Sequence, residues 1–369
     1  MGDKSAFVGG MKLKISELGK VITGNTPSKK IKEFWDKDDV GFVKPDIISD
    51  EHIVRIKSED CNEFISNTAI SKARIVPKNS IFVTCIGNIG KIGVATENLA
   101  FNQQINAIIP HENVNLDYLS YAIFANKAKL QDIANAPIVP LLNKSQFSEF
   151  ELDLDMDINT QERIVHELNT VSNIILKYKQ ELLLLDELVR ARFVEMFGDS
   201  ITNDKNLKLI SLFDLSVLKA GKSIKTGELS ETYDDETLMY PCFGGNGIRG
   251  YINRYSHDGN YPIIGRQGAW AGNVNYATGK FYATEHAIVV TPKVDLNTVW
   301  YYYGLKYLDL TRFQTGAAQP GLAVDKLNKV FIPFPAIELQ NQFASFVEEI
   351  DKSRLLSNHS LFLIKSIIF

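Results

Sequence analysis

Asn159-Thr160-Gln161-Glu162-Arg163-Ile164 opens, and Arg192-Phe193-Val194-Glu195-Met196-Phe197-Gly198 closes, the stretch that decides the architecture. Between them Ile164, Leu168, Val171, Ile175, Tyr178, Leu182, Leu185, Val189 and Met196 step by four and three, with Arg192 the polar residue on the series. A 3.5-residue period is that of a left-handed coiled-coil seam rather than of a helix face on a globular core. Asn159 or Thr160 can cap the start, and Gly198 stops the helix. No Pro or Gly falls between Gln161 and Phe197. The sequence therefore predicts a stiff helix roughly 55 Å long, at about 1.5 Å per residue.

A second helix of this kind is predicted from near Ile337. It carries Phe343, Val347, Ile350, Leu361, Ile364 and Ile368 in the same phase, with Arg354 and Ser357 weakening its middle. The residues ahead of the two helices correspond as well. Leu142-Asn143-Lys144, Phe150-Glu151-Leu152 and Gln161-Glu162-Arg163-Ile164 match Leu322-Ala323-Val324, Phe331-Ile332-Pro333-Phe334-Pro335 and Gln340-Asn341-Gln342-Phe343. The offset of about 179 residues is far too long for a solenoid or propeller unit. What is duplicated is a globular domain with its helix. Nearer the start, Leu18 aligns with Leu215 and Gly24 with Gly221, at an offset of about 197. The first copy therefore holds about 18 extra residues between Pro45 and Gly87.

Each copy reads as mixed α/β. In the first, Gly41-Phe42-Val43, Ser80 to Thr84, Ile92 to Ala95 and Ile105 to Ile109 are predicted strands, followed by a helix over Asp117 to Leu130. In the second, the strands are Leu238-Met239-Tyr240, Tyr261 to Ile264 and Ala287 to Thr291, with a matching helix over Leu296 to Leu308.

Composition sets the outer bounds. A chain of 369 residues, 45% hydrophobic and 23% charged, has material for two ordinary domains. Its net charge of -4 argues against indiscriminate coating of nucleic acid, but leaves room for a specific binder whose contacting loops alone are basic. The aliphatic run Leu182 to Leu185 is flanked by charge, so no membrane span is expected. Cys61, Cys85 and Cys242 are scattered, which suits a reducing cytoplasm and gives no metal spacing. Residues 1 to 10 lack periodicity and read as an upstream extension, with Met11 as the natural start.

The search for catalytic residues is negative, and neither a metal nor a cofactor is expected. Ile86-Gly87-Asn88-Ile89-Gly90-Lys91 lacks the spacing and ending of a phosphate loop and reads as a tight turn. Asn135-Ala136-Pro137-Ile138 lacks the second proline and the aromatic of the amino-methyltransferase motif. No His pairing, nucleophile elbow or paired-carboxylate cluster stands out.

The polar loops carry more. In the turn Thr23 to Lys30, Thr26, Ser28, Lys29 and Lys30 are groups that hold phosphates. Asn102, Gln103 and Gln104 precede a strand, and such amides pair bidentately with adenine. Asn88 and Lys91 join them from the neighbouring turn. In the second copy, Asn246 and Arg249, then Arg266 and Gln267, sit among glycines, and Arg is the commonest reader of guanine. Taken singly, each loop is more simply an ordinary solvated one. Their recurrence at matching places raises the DNA-reading alternative.

On these residues the chain resembles the specificity subunit of a type I restriction–modification system, from Met11 to Phe369. The resemblance rests on Gly24-Asn25-Thr26-Pro27-Ser28, Asn102-Gln103-Gln104-Ile105-Asn106-Ala107, the Gln161 helix start, Met196-Phe197-Gly198-Asp199 and Ile332-Pro333-Phe334-Pro335 ahead of Gln340. It implies two similar α/β (α+β) target recognition domains, at 11–158 and 199–336. Helices at 159–198 and 337–369 would join them as an antiparallel coiled coil with pseudo-two-fold symmetry. It further implies a non-catalytic subunit that reads a bipartite, asymmetric double-stranded DNA target. Two methyltransferase subunits and, through them, endonuclease–translocase subunits would be its partners. The rival reading is a scaffold whose paired domains bind peptides or glycans, and a solitary enzyme stands third.

Overall fold

The computed structural model describes residues 10–134, 139–233, 238–316 and 320–368. The upstream residues 1–9 and the stretch Asn135 to Ile138 lie outside the described residues, as does the side chain of Ile368. Contacts group the chain into two units, Met1–Ile175 and Leu176–Phe369, so the division falls within one long helix.

In the first unit, strand β1 (Met11–Lys14) pairs antiparallel with β11 (Glu151–Leu154), with the short helix α1 (Ile15–Leu18) following β1. Two sheets lie between. One has the order β2 (Gly19–Thr23), β10 (Ile105–Pro110), β7 (Ile81–Thr84), β8 (Ile92–Ala95), β4 (Val54–Ile56). The other has the order β5 (Phe64–Ile65), β3 (Val40–Val43), β9 (Leu99–Phe101), β6 (Ile75–Val76). The central strand β7 is buried on both faces and alternates between two cores, as a period of two requires. Ile81 and Val83 pack with Ile108 and the helices α2 (Leu116–Ala125), α3 (Lys127–Ile133) and α4 (Lys144–Ser148). Phe82 packs with Val43 and Phe101 of the other sheet and with Ile105 of its own.

The second unit repeats this plan. Strand β12 (Lys208–Ser211) pairs with β21 (Phe331–Phe334), with α6 (Leu212–Leu215) following β12. One sheet runs β13 (Ser216–Ala220), β20 (Ala287–Pro292), β17 (Tyr261–Gly265), β18 (Val274–Ala277), and helix α7 (Thr298–Tyr307) packs on it. The other runs β15 (Gly247–Ile252), β14 (Tyr240–Gly244), β19 (Lys280–Ala283), β16 (His257–Asp258). The parallel pair β3–β9 of the first copy recurs as β14–β19, with Phe42 beside Ala100 and Cys242 beside Tyr282. The extra residues of the first copy form β4 and its flanking turns. That strand adds in parallel to β8, whereas β18 is the outermost strand of its sheet.

Helix α5 spans Ile158–Phe197 and α8 spans Ile337–Ile368. The seam does not keep its 3.5-residue period to the end of α5. The buried residues of the last turns are Val189, Phe193 and Phe197, four apart, whereas Arg192 and Met196 are only half-buried. That end of the helix is therefore a face on the second unit's core, where Phe193 and Phe197 meet Phe343 edge-on. Within this unit Asp186 pairs with Arg354 at 2.6 Å while Phe193 and Phe197 meet Phe343. The numbers run in opposite senses, so the two helices are antiparallel there. Arg354 and Ser357 do interrupt the apolar series, but the structure uses both. Arg354 bridges Asp186 and Asp351, and Ser357 is buried.

Several element boundaries differ from expectation. Helix α5 starts at Ile158 and is capped not by Asn159 or Thr160 but by Asp157, whose Oδ2 accepts from Thr160 N at 3.0 Å. The predicted helix over Asp117 to Leu130 breaks at Asn126, whose Nδ2 donates to the Ala122 carbonyl at 2.9 Å and ends α2 there. Strand β14 begins at Tyr240 and runs forward to Gly244, so Leu238 and Met239 precede it.

Candidate DNA-recognition interface

In the first copy, three chain reversals meet at one end of the five-stranded sheet. The turn after β2 is pinned by main-chain bonds from Gly24 N to Ile105 O and from Asn25 N to Phe101 O, both 3.1 Å. A Cβ at Gly24 would stand 2.1 Å from the Asn102 carbonyl oxygen, so only glycine admits this approach. The β7–β8 turn is tied to the β9–β10 turn by Cys85 N to Gln104 O at 2.8 Å. It is tied to the segment before α4 by Leu142 N to Cys85 O and Gly87 N to Pro140 O, at 2.9 and 3.0 Å. Gly87 has a φ of 74° and nothing near its missing side chain.

The second copy builds the same frame. Gly221 N donates to Ala287 O at 3.0 Å and Lys222 N to Ala283 O at 3.1 Å. A Cβ at Gly221 would lie 2.0 Å from the Ala283 carbonyl oxygen. Arg266 N donates to His286 O, Leu322 N to Arg266 O and Gly268 N to Pro320 O, at 2.9, 2.7 and 2.9 Å. Gly268 repeats the positive φ, at 78°. By these bonds Arg266 occupies the place of Cys85, Gln267 that of Ile86 and Gly268 that of Gly87.

The predicted contact residues fare unequally. Thr26 is exposed and its Oγ1 donates to Gln103 Oε1 at 2.7 Å, so two of the predicted groups share one surface point. Ser28, Lys30, Asn88 and Gln103 are exposed, and Gln104 is half-buried. Asn102 is only 6% exposed, with its amide bonded both ways to Gln104, so it holds the turn. Lys29 is drawn to Glu63 at 3.0 Å and lies over the Trp35 ring. Lys91 Nζ reaches the Pro45 carbonyl oxygen at 3.3 Å. In the second copy Asn246, Arg249 and Gln267 are exposed. Asn246 accepts from Asn273 at 3.3 Å. Arg266 is half-buried, with Nη1 at 3.4 Å from the Glu285 carbonyl oxygen.

Sequence reading missed Trp270, which is 55% exposed on the turn that carries Arg266, and Asn25, whose side chain is a clamp. Asn25 Nδ2 donates to Lys72 O at 2.7 Å, and its Oδ1 accepts from Arg74 N at 2.6 Å. The long-range pairing that gives Asn25 this role has no local signature. The helix-start glutamines also acquire a reason. Gln161 Nε2 donates to Asp155 O at 2.6 Å and Gln340 Nε2 to Pro335 O at 2.9 Å, each fastening the helix to the strand before it. Of the coil positions, Val189, Phe343, Val347 and Leu361 are buried. Ile164, Leu168, Val171, Ile175, Tyr178, Leu182, Leu185, Ile350 and Ile364 are half-buried.

Burial pushes the Cys61 and Cys85 thiols up to about 12, with nearby carboxylates adding to the effect at Cys61, and raises Cys242 as well. These thiols are packing groups, not activated nucleophiles. Among the described residues no group of three His, Cys, Asp or Glu side chains could hold a metal ion. No helix there is long and apolar enough to cross a membrane.

Two framed loop clusters of unlike side chains, each followed by a long helix, define a two-domain recognition protein. Residues 9–184 and 204–364 match the family model described as Type I restriction modification DNA specificity domain. The chain is 30% identical over 361 residues to the type I restriction enzyme EcoprrI specificity subunit of Escherichia coli, spanning 92% of this chain and 87% of that one. It is 30% identical over 191 residues to the MjaIX specificity subunit of Methanocaldococcus jannaschii, spanning 50% and 43%. The crystal structure of the type-I restriction-modification S subunit from M. genitalium shares the fold, with a TM-score of 0.63 at 16% identity over 99% of this chain and 95% of that one. The chain belongs to the type I restriction–modification specificity-subunit family. Its function is DNA recognition through two target recognition domains, and it is a non-catalytic component of such a system.

Proposed function

We propose that the first copy reads one half of a bipartite, asymmetric target and the second copy the other. The observation that carries this reading is the pairing of one main-chain frame with two different sets of side chains. In the first set, Thr26, Ser28, Asn88, Gln103 and Gln104 face the bases, while Lys29, Lys30 and Lys91 hold phosphates. In the second, Asn246, Arg249, Arg266 and Gln267 do the reading. Asn102 supports its turn and makes no base contact.

Residues 11–158 and 199–336 are the reading domains, and the helices at 159–198 and 337–369 set the spacer between half-sites. The same helices seat two methyltransferase subunits, through which endonuclease–translocase subunits join, in the cytoplasm. Methyl transfer to an adenine belongs to those partners, which must flip the base out of the duplex.

Methylation-aware sequencing of a host genome with and without the chain gives the target. Arg266→Ala should then relax one half-site by about 1–3 kcal/mol of discrimination, and Gln103→Ala the other. Equal weakening of both halves by either change would assign these residues to folding instead. Four residues inserted after Gln180 add roughly 6 Å of helix and should lengthen the spacer by one or two bases. An unchanged spacer removes the helices from that role.

A further inference from the structure

The first copy has a cleft of about 450 Å³ that no loop motif announces. It lies where β2, the outermost strand of one sheet, runs beside the segment leading into β6, the outermost strand of the other. Its charged lining is Lys20, Arg74 and Lys144, with Val21, Ile22, Thr23, Ala73 and Ile75 as the floor. No carboxylate lines it. The three cations are exposed, and none of them has an ion-pair partner among the described residues. Several other cations of this copy have carboxylate partners: Lys14 has Glu149, Arg55 has Asp117 and Lys127 has Asp50, while Lys29 and Lys44 share Glu63 and keep one positive charge in excess.

The three positive groups come from segments far apart in sequence, and buried or clamped polar bonds hold those segments together. Arg74 hangs from Asn25 through its main-chain N–H, at 2.6 Å. Thr23 Oγ1 donates to Asn106 Oδ1 at 2.6 Å, and Asn106 Nδ2 donates to the Leu142 carbonyl oxygen at 3.2 Å, two residues before Lys144. Lys20 sits on β2 opposite Ile109. The cleft adjoins the turn that carries Thr26 and Ser28.

The second copy lacks this feature. Strand register places Val217 where Lys20 stands and Tyr255 where Arg74 stands. The Leu322-Ala323-Val324 match places Val324 at Lys144. A unipolar cleft present in one of two otherwise equivalent frames is not required by the fold.

We infer that the Lys20, Arg74 and Lys144 cleft is a seat for the phosphodiester backbone of duplex DNA, used by the first copy alone. Unpaired cations along an open groove attract a polyanion without reading its sequence. Each phosphate neutralised on duplex DNA contributes about 0.9 to the slope of log affinity against log salt. The cleft positions the strand so that the adjoining turn meets the base edges. This inference rests on the DNA-reading function proposed above.

The test uses the full chain assembled with its methyltransferase subunits, on a random-sequence duplex and on the methylated target sequence. The triple variant Lys20→Ala, Arg74→Ala, Lys144→Ala should lower the salt slope by about 2.7, at 0.9 per contact. It should weaken both duplexes by the same factor and leave the methylated sequence unaltered. The variant Lys20→Arg, Arg74→Lys, Lys144→Arg should retain the wild-type slope. An unchanged slope in the triple alanine variant, with specific methylation intact, overturns the cleft and leaves the reading function standing. A change in the methylated bases also overturns it, because the cleft would then read sequence. An unaltered complex with no sequence preference would remove the reading function and this inference together.

Discussion

Behind the β2 turn of the first copy stand Thr23, whose hydroxyl donates to Asn106 Oδ1, and Asn106, whose Nδ2 donates to the Leu142 carbonyl oxygen. Behind the matching turn of the second stand Ala220 and Ile288, paired in register on β13 and β20. One frame is closed by polar groups and the other by packing. Asn106 is 1% exposed and Ile288 0%, so both solutions are equally dry. A buried amide is tolerable only when its partners are all present. The first copy thus gains directional bonds that fix where Leu142, and with it Lys144, must lie. The second gains apolar burial and imposes no such direction.

The largest test of the comparison lies at the helix starts. Phe343 and Ile164 occupy matching places three residues after Gln340 and Gln161. Phe343 is fully buried against Phe193, Phe197 and Tyr303, whereas Ile164 is half-buried beside the first core. Phe343→Ala should destabilise the second unit by about 3–5 kcal/mol, read as a lower denaturation midpoint. Ile164→Ala should lose about 1–2 kcal/mol, since less surface returns to water. Equal losses would mean that the two helices are anchored alike.

A medium effect should come from writing one frame's solution into the other. Asn106→Ile leaves the Thr23 hydroxyl and the Leu142 carbonyl without their partner, at about 1–3 kcal/mol for the buried groups. Adding Thr23→Ala, which completes the second copy's pair, should recover part of that loss. Chemical denaturation of the single and double variants measures the coupling. If the second change adds to the first, the two residues do not act as a unit.

The smallest effect is electrostatic and belongs to the segment around β4, which the second copy lacks. The hydrogen bond and charge of Lys127 hold the Asp50 carboxyl below the usual range, at a separation of 2.5 Å. Burial works against ionisation of Glu63, but Lys44 and Lys29 outweigh it and keep that carboxyl low as well. For carboxylates depressed on folding, the stabilisation is complete above their unfolded values, about 3.9 for Asp and 4.3 for Glu. It is lost as pH falls through the lower folded values. Hydrogen exchange below about pH 4 should therefore loosen residues 44–63 before β14 and β15. In the second copy the depressed carboxylate Glu228 pairs with Arg254 on the open surface, and little should change there. Uniform loss of protection would deny the segment its ionic ties.

The long helices were legible because the 3.5-residue series and the stopping glycine are local signals. The change of face over Val189, Phe193 and Phe197 was not, since it depends on which core receives the helix. The duplication was legible from Gly24 and Gly221, and the structure supplies the reason in two carbonyl oxygens at 2.1 and 2.0 Å from the missing side chains. The proposed contact residues were legible only as loops. Polarity alone does not separate Asn102, buried in its own turn, from Gln103, exposed next to it. The Lys20, Arg74 and Lys144 cleft was invisible because its members meet only across sheet edges.

The bonds from Cys85 N to Gln104 O and from Arg266 N to His286 O use only main-chain atoms, so the identity of the side chain at either position does not enter them. Any residue but proline can donate there. The main-chain ties therefore survive a change of side chain, at small cost to packing at the half-buried Arg266 and at a larger one at Cys85, which lies in the core. A new reading surface can arise before the old scaffold is disturbed, and one copy can change its preference while the other keeps its own.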